Sequence, residues 1–156
     1  MVKEWNPWRG SERYSVATPQ AQASNYAQDE ARLSAVVVWI NETFFDLSLP
    51  ACAVRVGQME GCYGALYVSS SPPVIYVPPH MLAIERRELV AMMLHEVLHH
   101  WQHCAGTITA GLMHNEEFLN QMRALGLNPI CDGDQVGQTI IRGGRFDRAF
   151  KQLRLS

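Results

Sequence analysis

The pentapeptide His95-Glu96-Val97-Leu98-His99 limits how this chain can fold more than any other feature. Residues i and i+4 share one face of an α-helix, about 6 Å apart, so two imidazoles so placed can converge on one ion. The glutamate at i+1 is turned away from direct ligation but can reach a water bound to the same ion. Leu94, Val97 and Leu98 surround the pair with apolar side chains, which implies a buried helix and rigid ligands. A catalytic zinc site takes three protein ligands and leaves a fourth position to water, so the fold must bring another donor to this helix.

All six histidines lie between His80 and His114. His103 stands eight residues after His95, about 12 Å along a straight helix, too far to close on the same ion. His100 points about 100° away from His99. Both read as exposed or hydrogen-bonded structural histidines. A metzincin site would need Gly at 102 and His at 105, where this chain has Gln102 and Ala105. The preferred third donor is His114, at the edge of the next helix and across a glycine-bearing loop. Glu117 is the alternative, although Glu116 and Glu117 have an ordinary reason to stand in a first helical turn, where acids suit the macrodipole.

The rest of the chain is read around this helix. Residues 1–17 form an irregular arm, and Thr18-Pro19 is a helix-start signal. A helix over 19–46 comes next, with Ala27, Leu33, Val37, Ile40 and Phe44 as its apolar stripe and Pro50 closing it. Strands are expected over 53–57, 62–69 and 74–77. The motif helix spans 85–103, with Leu89, Met93, Val97 and Trp101 inward. Gly106 and Gly111 bracket a loop. A helix over 115–125 buries Phe118, Met122 and Leu125 and stops at Gly126, a left-handed C-cap followed by Pro129. A short apolar run at 138–141, a Gly143-Gly144 break and a helix to 155 complete the chain. Strands in one block imply an α+β fold, not an alternating parallel sheet.

At 156 residues and 47% hydrophobic, the chain is read as one domain, 1–156, able to bury a core without disulfides. Its formal net charge of −2 argues against nucleic-acid binding by the chain as a whole. From residue 142 onward, however, five basic residues stand against a single acid, Asp147. Arg145, Arg148, Lys151 and Arg154 recur every third residue and would form a basic helical stripe. A solvated face is the simpler account of it; contact with DNA phosphates is the sharper one. Cys52, Cys62, Cys104 and Cys131 show no C-x-x-C spacing and no secretory leader precedes them, so free thiols in a reducing cytoplasm are expected. No apolar run approaches a membrane span.

The sequence resembles the SprT-like (Spartan-type) zinc metalloproteases. Residues 41–50, NETFFDLSLP, are similar to that family's N-x-x-F-F-x-x-x-L-P signature, and Cys62-Tyr63-Gly64-Ala65 resembles its small sheet. His114-Asn115-Glu116-Glu117-Phe118 resembles its H-G-x-x-F pattern, with Asn115 where Gly is usual. The likeness covers about residues 30–128. Only Cys131 follows His114, so the cysteine zinc ribbon of many members is missing from 129–156. The resemblance implies a zincin-like fold, with a catalytic core over 19–128 and a C-terminal extension over 129–156. It also implies Zn²⁺ on His95, His99 and His114, and peptide-bond hydrolysis with Glu96 as general base. Proteins or peptides would be the substrates, and some relatives depend on DNA.

Tyr63, Tyr67, His100 and His103 are candidate oxyanion donors, and the sheet edge before the motif helix could take substrate as an added strand. The rival expectation is a non-catalytic binding or assembly module in which zinc only staples two helices. A fourth protein ligand would mark that case.

Overall fold

The computed structural model describes residues 25–58, 64–68, 71–108, 113–132 and 135–153. The expected arm, the Thr18-Pro19 signal, Cys62, Tyr63 and Arg154 lie outside these residues. Among the described residues the architecture is α+β: four helices, a three-stranded sheet and a two-stranded one.

Helix α1 runs Ala27–Phe45, with Asp29 and Glu30 in its first turn. It does not extend back to 19, because Asn25 and Tyr26 form a turn. Leu33, Val36, Val37, Ile40, Phe44 and Phe45 are buried, whereas Ala27, expected on the stripe, is exposed. Nor does Pro50 stop the helix. Asp46 (φ 52°) and Leu47 (φ 59°) take left-handed backbone first. Asn41 fixes the exit: its Nδ2 donates to Leu49 O (3.0 Å) and its Oδ1 accepts from Leu49 N (3.2 Å). The chain is thereby turned back so that Leu49 is buried beside Phe45.

Strands β1 (Ala53–Val56), β2 (Ala65–Tyr67) and β3 (Val74–Val77) form a sheet in the order β1-β3-β2. β1 pairs parallel to β3 and β2 antiparallel, leaving β2 as an edge. A 3₁₀ turn at Pro79–Ala83 leads to α2, Arg86–Cys104. Burial of α2 is not a stripe. Every residue from Val90 to His100 is buried, while Leu89 and Trp101, expected inward, are only partly so. α1, β2 and α3 all pack on it, and a helix covered on several sides needs no polar face.

Helix α3, Glu116–Leu125, buries Phe118, Met122 and Leu125 as expected, and Gly126 caps it at φ 95°. The chain beyond Gly126 is not the expected helical tail. β4 (Leu127–Asp132) and β5 (Gln135–Ile140) form an antiparallel hairpin, with Leu127 opposite Ile140 and Pro129 opposite Gln138. Pro129, read as part of the end signal of α3, stands inside β4, where it is tolerated because each strand of a two-stranded ladder keeps one side outside the ladder. Helix α4 is only Arg145–Phe150 and does not reach 155. Its Asp147 accepts from Gly143 N (2.7 Å) and pairs with Arg87 of α2, tying the last helix to the motif helix. The Gly143 amide and the Arg87 guanidinium hold this carboxyl below its ordinary range.

Of the expected basic stripe, Arg145, Arg148 and Lys151 are exposed, and each also has a partner within the fold. Arg145 donates to Thr43 O (3.2 Å) and lies over the Phe44 ring, Arg148 donates to Gly143 O, and Lys151 pairs with Asp147. Among the described residues no helix is long and apolar enough to cross a membrane. Cys52, Cys104 and Cys131 are free thiols.

Candidate metal centre

α2 supplies His95, Glu96 and His99 from its most buried stretch, and the bend before α3 supplies His114. Asn115 sets that bend. As N-cap its Oδ1 accepts from Phe118 N (3.0 Å), and its Nδ2 donates to Thr107 O (2.7 Å). Asn115 therefore anchors the His114-bearing turn through its side chain.

The three imidazoles converge. His95 Nε2 lies 3.1 Å from His114 Nε2 and 3.2 Å from His99 Nε2. Tetrahedral ligands about 2.05 Å from zinc would stand about 3.3 Å apart, so the spacing fits a single ion. Phe118 supports the cluster, with its ring 4.3 Å from the His99 centroid and 5.0 Å from that of His114.

Two glutamines determine which ring nitrogens carry protons. Gln138 of β5 donates its Nε2 to Ala91 O (3.1 Å), so its Oε1 faces His95 Nδ1 (3.1 Å). Gln102 donates its Nε2 to Met113 O (2.7 Å) and turns its Oε1 toward His99 Nδ1, at 3.4 Å. A carbonyl only accepts, so each amide is oriented by its donor side and each Nδ1 must carry the proton. Both Nε2 atoms then present lone pairs to one point, an arrangement a cation relieves.

Burial keeps the cluster uncharged. It lowers His95 to about 4, against the opposing effect of Gln138. It lowers His114 to about 3, with the neighbouring His95 adding to the effect. His99 is well below its ordinary value, by burial and then by the two other histidines. Neutral imidazole is the form that binds metal.

Glu96 is 1% exposed, and neither carboxylate oxygen has a hydrogen-bond partner. Burial pushes it up to about 8, only partly offset by the nearby Leu66 backbone, which does not reach hydrogen-bonding geometry. Gly64, at the mouth of β2, lies directly over it. A Cβ there would stand 3.4 Å from Glu96 Oε1 and 2.7 Å from Met92 Sδ. A side chain at 64 would collide first with Met92, beside the carboxylate.

The other candidates are placed elsewhere. Glu117 accepts from Thr107 N (2.6 Å) and holds the loop. His100, buried, uses Nε2 on Pro50 O (3.0 Å), and His103 is exposed, so neither joins the cluster. The side chains of Tyr63 and Tyr67 lie outside the described residues. Burial pushes the Cys52 thiol up to about 12, which leaves it protonated and a poor ligand. Gln102, Gln138 and Gly64 were not read from the sequence as parts of the site.

His95, His99 and His114 can thus hold one metal ion among the described residues. Comparisons with family models, curated proteins and solved structures found no match to this chain.

Proposed function

We propose that the chain is a zinc-dependent metallopeptidase of SprT-like, zincin-type organisation, with His95, His99 and His114 as ligands and Glu96 as general base. The observation that carries this reading is Glu96: a fully buried, unpartnered carboxylate one residue from a ligand. Leaving such a group unsatisfied costs about 1–3 kcal/mol or more, a cost that a purely structural staple has no reason to bear. Among the described residues no fourth protein donor joins the three histidines, which favours an open position for water over the rival staple.

Zinc, when bound, lowers the pKa of a water and polarises the scissile carbonyl. The chain's own residues do the rest. The three neutral imidazoles fix the ion's position. Glu96 takes the proton of the attacking water on a carboxylate oxygen and passes it to the leaving amine. Gly64 leaves room above that carboxylate, and the unpaired edge of β2 offers backbone groups to an extended substrate. Recognition would then rest on the peptide backbone and accept many side chains. The free thiols fit a reducing compartment such as the cytoplasm.

Glu96→Gln tests the assignment. The variant is expected to keep stoichiometric zinc while hydrolysis of a denatured protein falls by about 100-fold or more. Undiminished hydrolysis would remove Glu96 from the mechanism.

A further inference from the structure

We propose that Gln138 is a positioning residue of the metal centre, through which the β4–β5 hairpin fixes the ligating face of His95. The inference rests on the metal reading above and extends it to an element that carries no ligand.

Gln138 is 5% exposed, and its neighbour Val136 is buried with similar completeness. Leucine at 138 would pack the hairpin against α2 without burying an amide. The amide instead has both ends used. Its nitrogen donates to Ala91 O, one helical turn before His95, and its oxygen accepts from His95 Nδ1. Anchored to the helix backbone, the side chain cannot flip without losing both bonds. The His95 ring is thus held in one rotamer and one tautomer, with Nε2 directed at His99 and His114. Gln102 does the same for His99 from within α2, but over a longer 3.4 Å contact. Gln138 therefore makes the firmer of the two locks, and it comes from a part of the chain 43 residues away from His95.

Partners of this kind govern ligand orientation, and their loss weakens metal binding by about 10–100-fold. A merely structural amide would behave differently, and two variants separate the cases. Gln138→Leu keeps apolar packing and removes the acceptor. Gln138→Glu keeps an acceptor for His95 Nδ1 but sets a carboxylate oxygen against Ala91 O. Zinc affinity of the full chain is read by competition with a chelator, and Co²⁺ absorption reports ligand geometry. For a positioning role, Gln138→Leu binds zinc about 10–100-fold more weakly with an altered Co²⁺ spectrum, and Gln138→Glu binds within about threefold of wild type. For a structural role the order reverses, with Gln138→Leu binding as wild type does, and that result overturns the proposal. Long-range ¹H–¹⁵N correlation on the zinc-loaded wild type supplies a check that needs no variant. A proton on His95 Nδ1 is expected, and a proton on Nε2 overturns the proposal. A wild-type chain that binds neither zinc nor Co²⁺ would overturn the metal reading, and this inference with it.

Discussion

Glu96 and its histidine neighbours titrate in opposite senses, and the balance between them sets a measurable pH profile. In the metal-free protein the histidines sit below their ordinary value of 6.5, at about 4 for His95 and about 3 for His114. Below pH 6.5 the unfolded chain therefore binds protons that the fold refuses, and stability falls with acidification. Each such histidine contributes up to about 1.4 kcal/mol per pH unit. Glu96 is raised from 4.5 to about 8, so between these values the fold holds a proton that the unfolded chain has lost. Its stabilisation is full below 4.5 and fades as pH rises toward 8. Several histidines outweigh one glutamate below 6.5; from 6.5 to 8 the decline belongs to Glu96, and the raised Cys52 thiol adds its own only above 9. Thermal unfolding of the chelated protein should therefore be most resistant near pH 6.5. The decline between 6.5 and 8 should vanish in Glu96→Gln, and its persistence there would show that another group causes it. His95, Glu96 and His99 were legible in the sequence because ligation and base chemistry fix residue type and spacing within one helix. Gln102 and Gln138 were not, because an amide's role depends on which carbonyl its nitrogen meets.

Elements were legible wherever one short signal decides them. Gly126 ends α3 as expected, since its φ of 95° is a conformation that favours glycine. An added Cβ would also lie 2.7 Å from Phe146 N, so Gly126→Ala should lower stability by about 2 kcal/mol or more in urea unfolding. An unchanged midpoint would contradict the close approach of α4. The Asn41 clamp makes a second case. The pattern from Asn41 to Pro50 could be recognised, but its physical content is a side chain pairing with the Leu49 backbone at both ends. Asn41→Ala should cost about 1–3 kcal/mol, and Asn41→Asp, which keeps only the acceptor, should recover part of it. Elsewhere the signals were silent. Gly126 and Pro129 marked the end of α3 but carried no sign that the chain continues as the β4–β5 hairpin. The basic spacing after 142 gave a solvated helical face as the simpler account, and Arg145, Arg148 and Lys151 are exposed there while bonding to Thr43, Gly143 and Asp147.

For the whole molecule, α2 ties together what the chain order keeps apart. α2 lies between α1, β2 and α3, the hairpin reaches it through Gln138, and α4 reaches it through Arg87 and Asp147. A ligand bound only by the folded state stabilises in proportion to its concentration, by about 2.7 kcal/mol at 100 times its Kd. Zinc should thus raise the melting temperature in a concentration-dependent way, and His114→Ala should abolish most of that rise while the metal-free protein still folds. DNA contact through residues 142–151 is a separate proposal. It requires a DNA affinity that falls with salt and is lost on neutralising Arg142, Arg145 and Arg148. The central claim, however, is one cation on three imidazoles with an open corner beside Glu96. The most direct measurement is an anomalous difference map, at the zinc edge, from crystals of the zinc-loaded chain. The account predicts a single peak about 2.0–2.1 Å from Nε2 of His95, His99 and His114, with no other protein atom in its coordination sphere. A peak closed by a fourth protein ligand, or zinc bound away from these three rings, would contradict it.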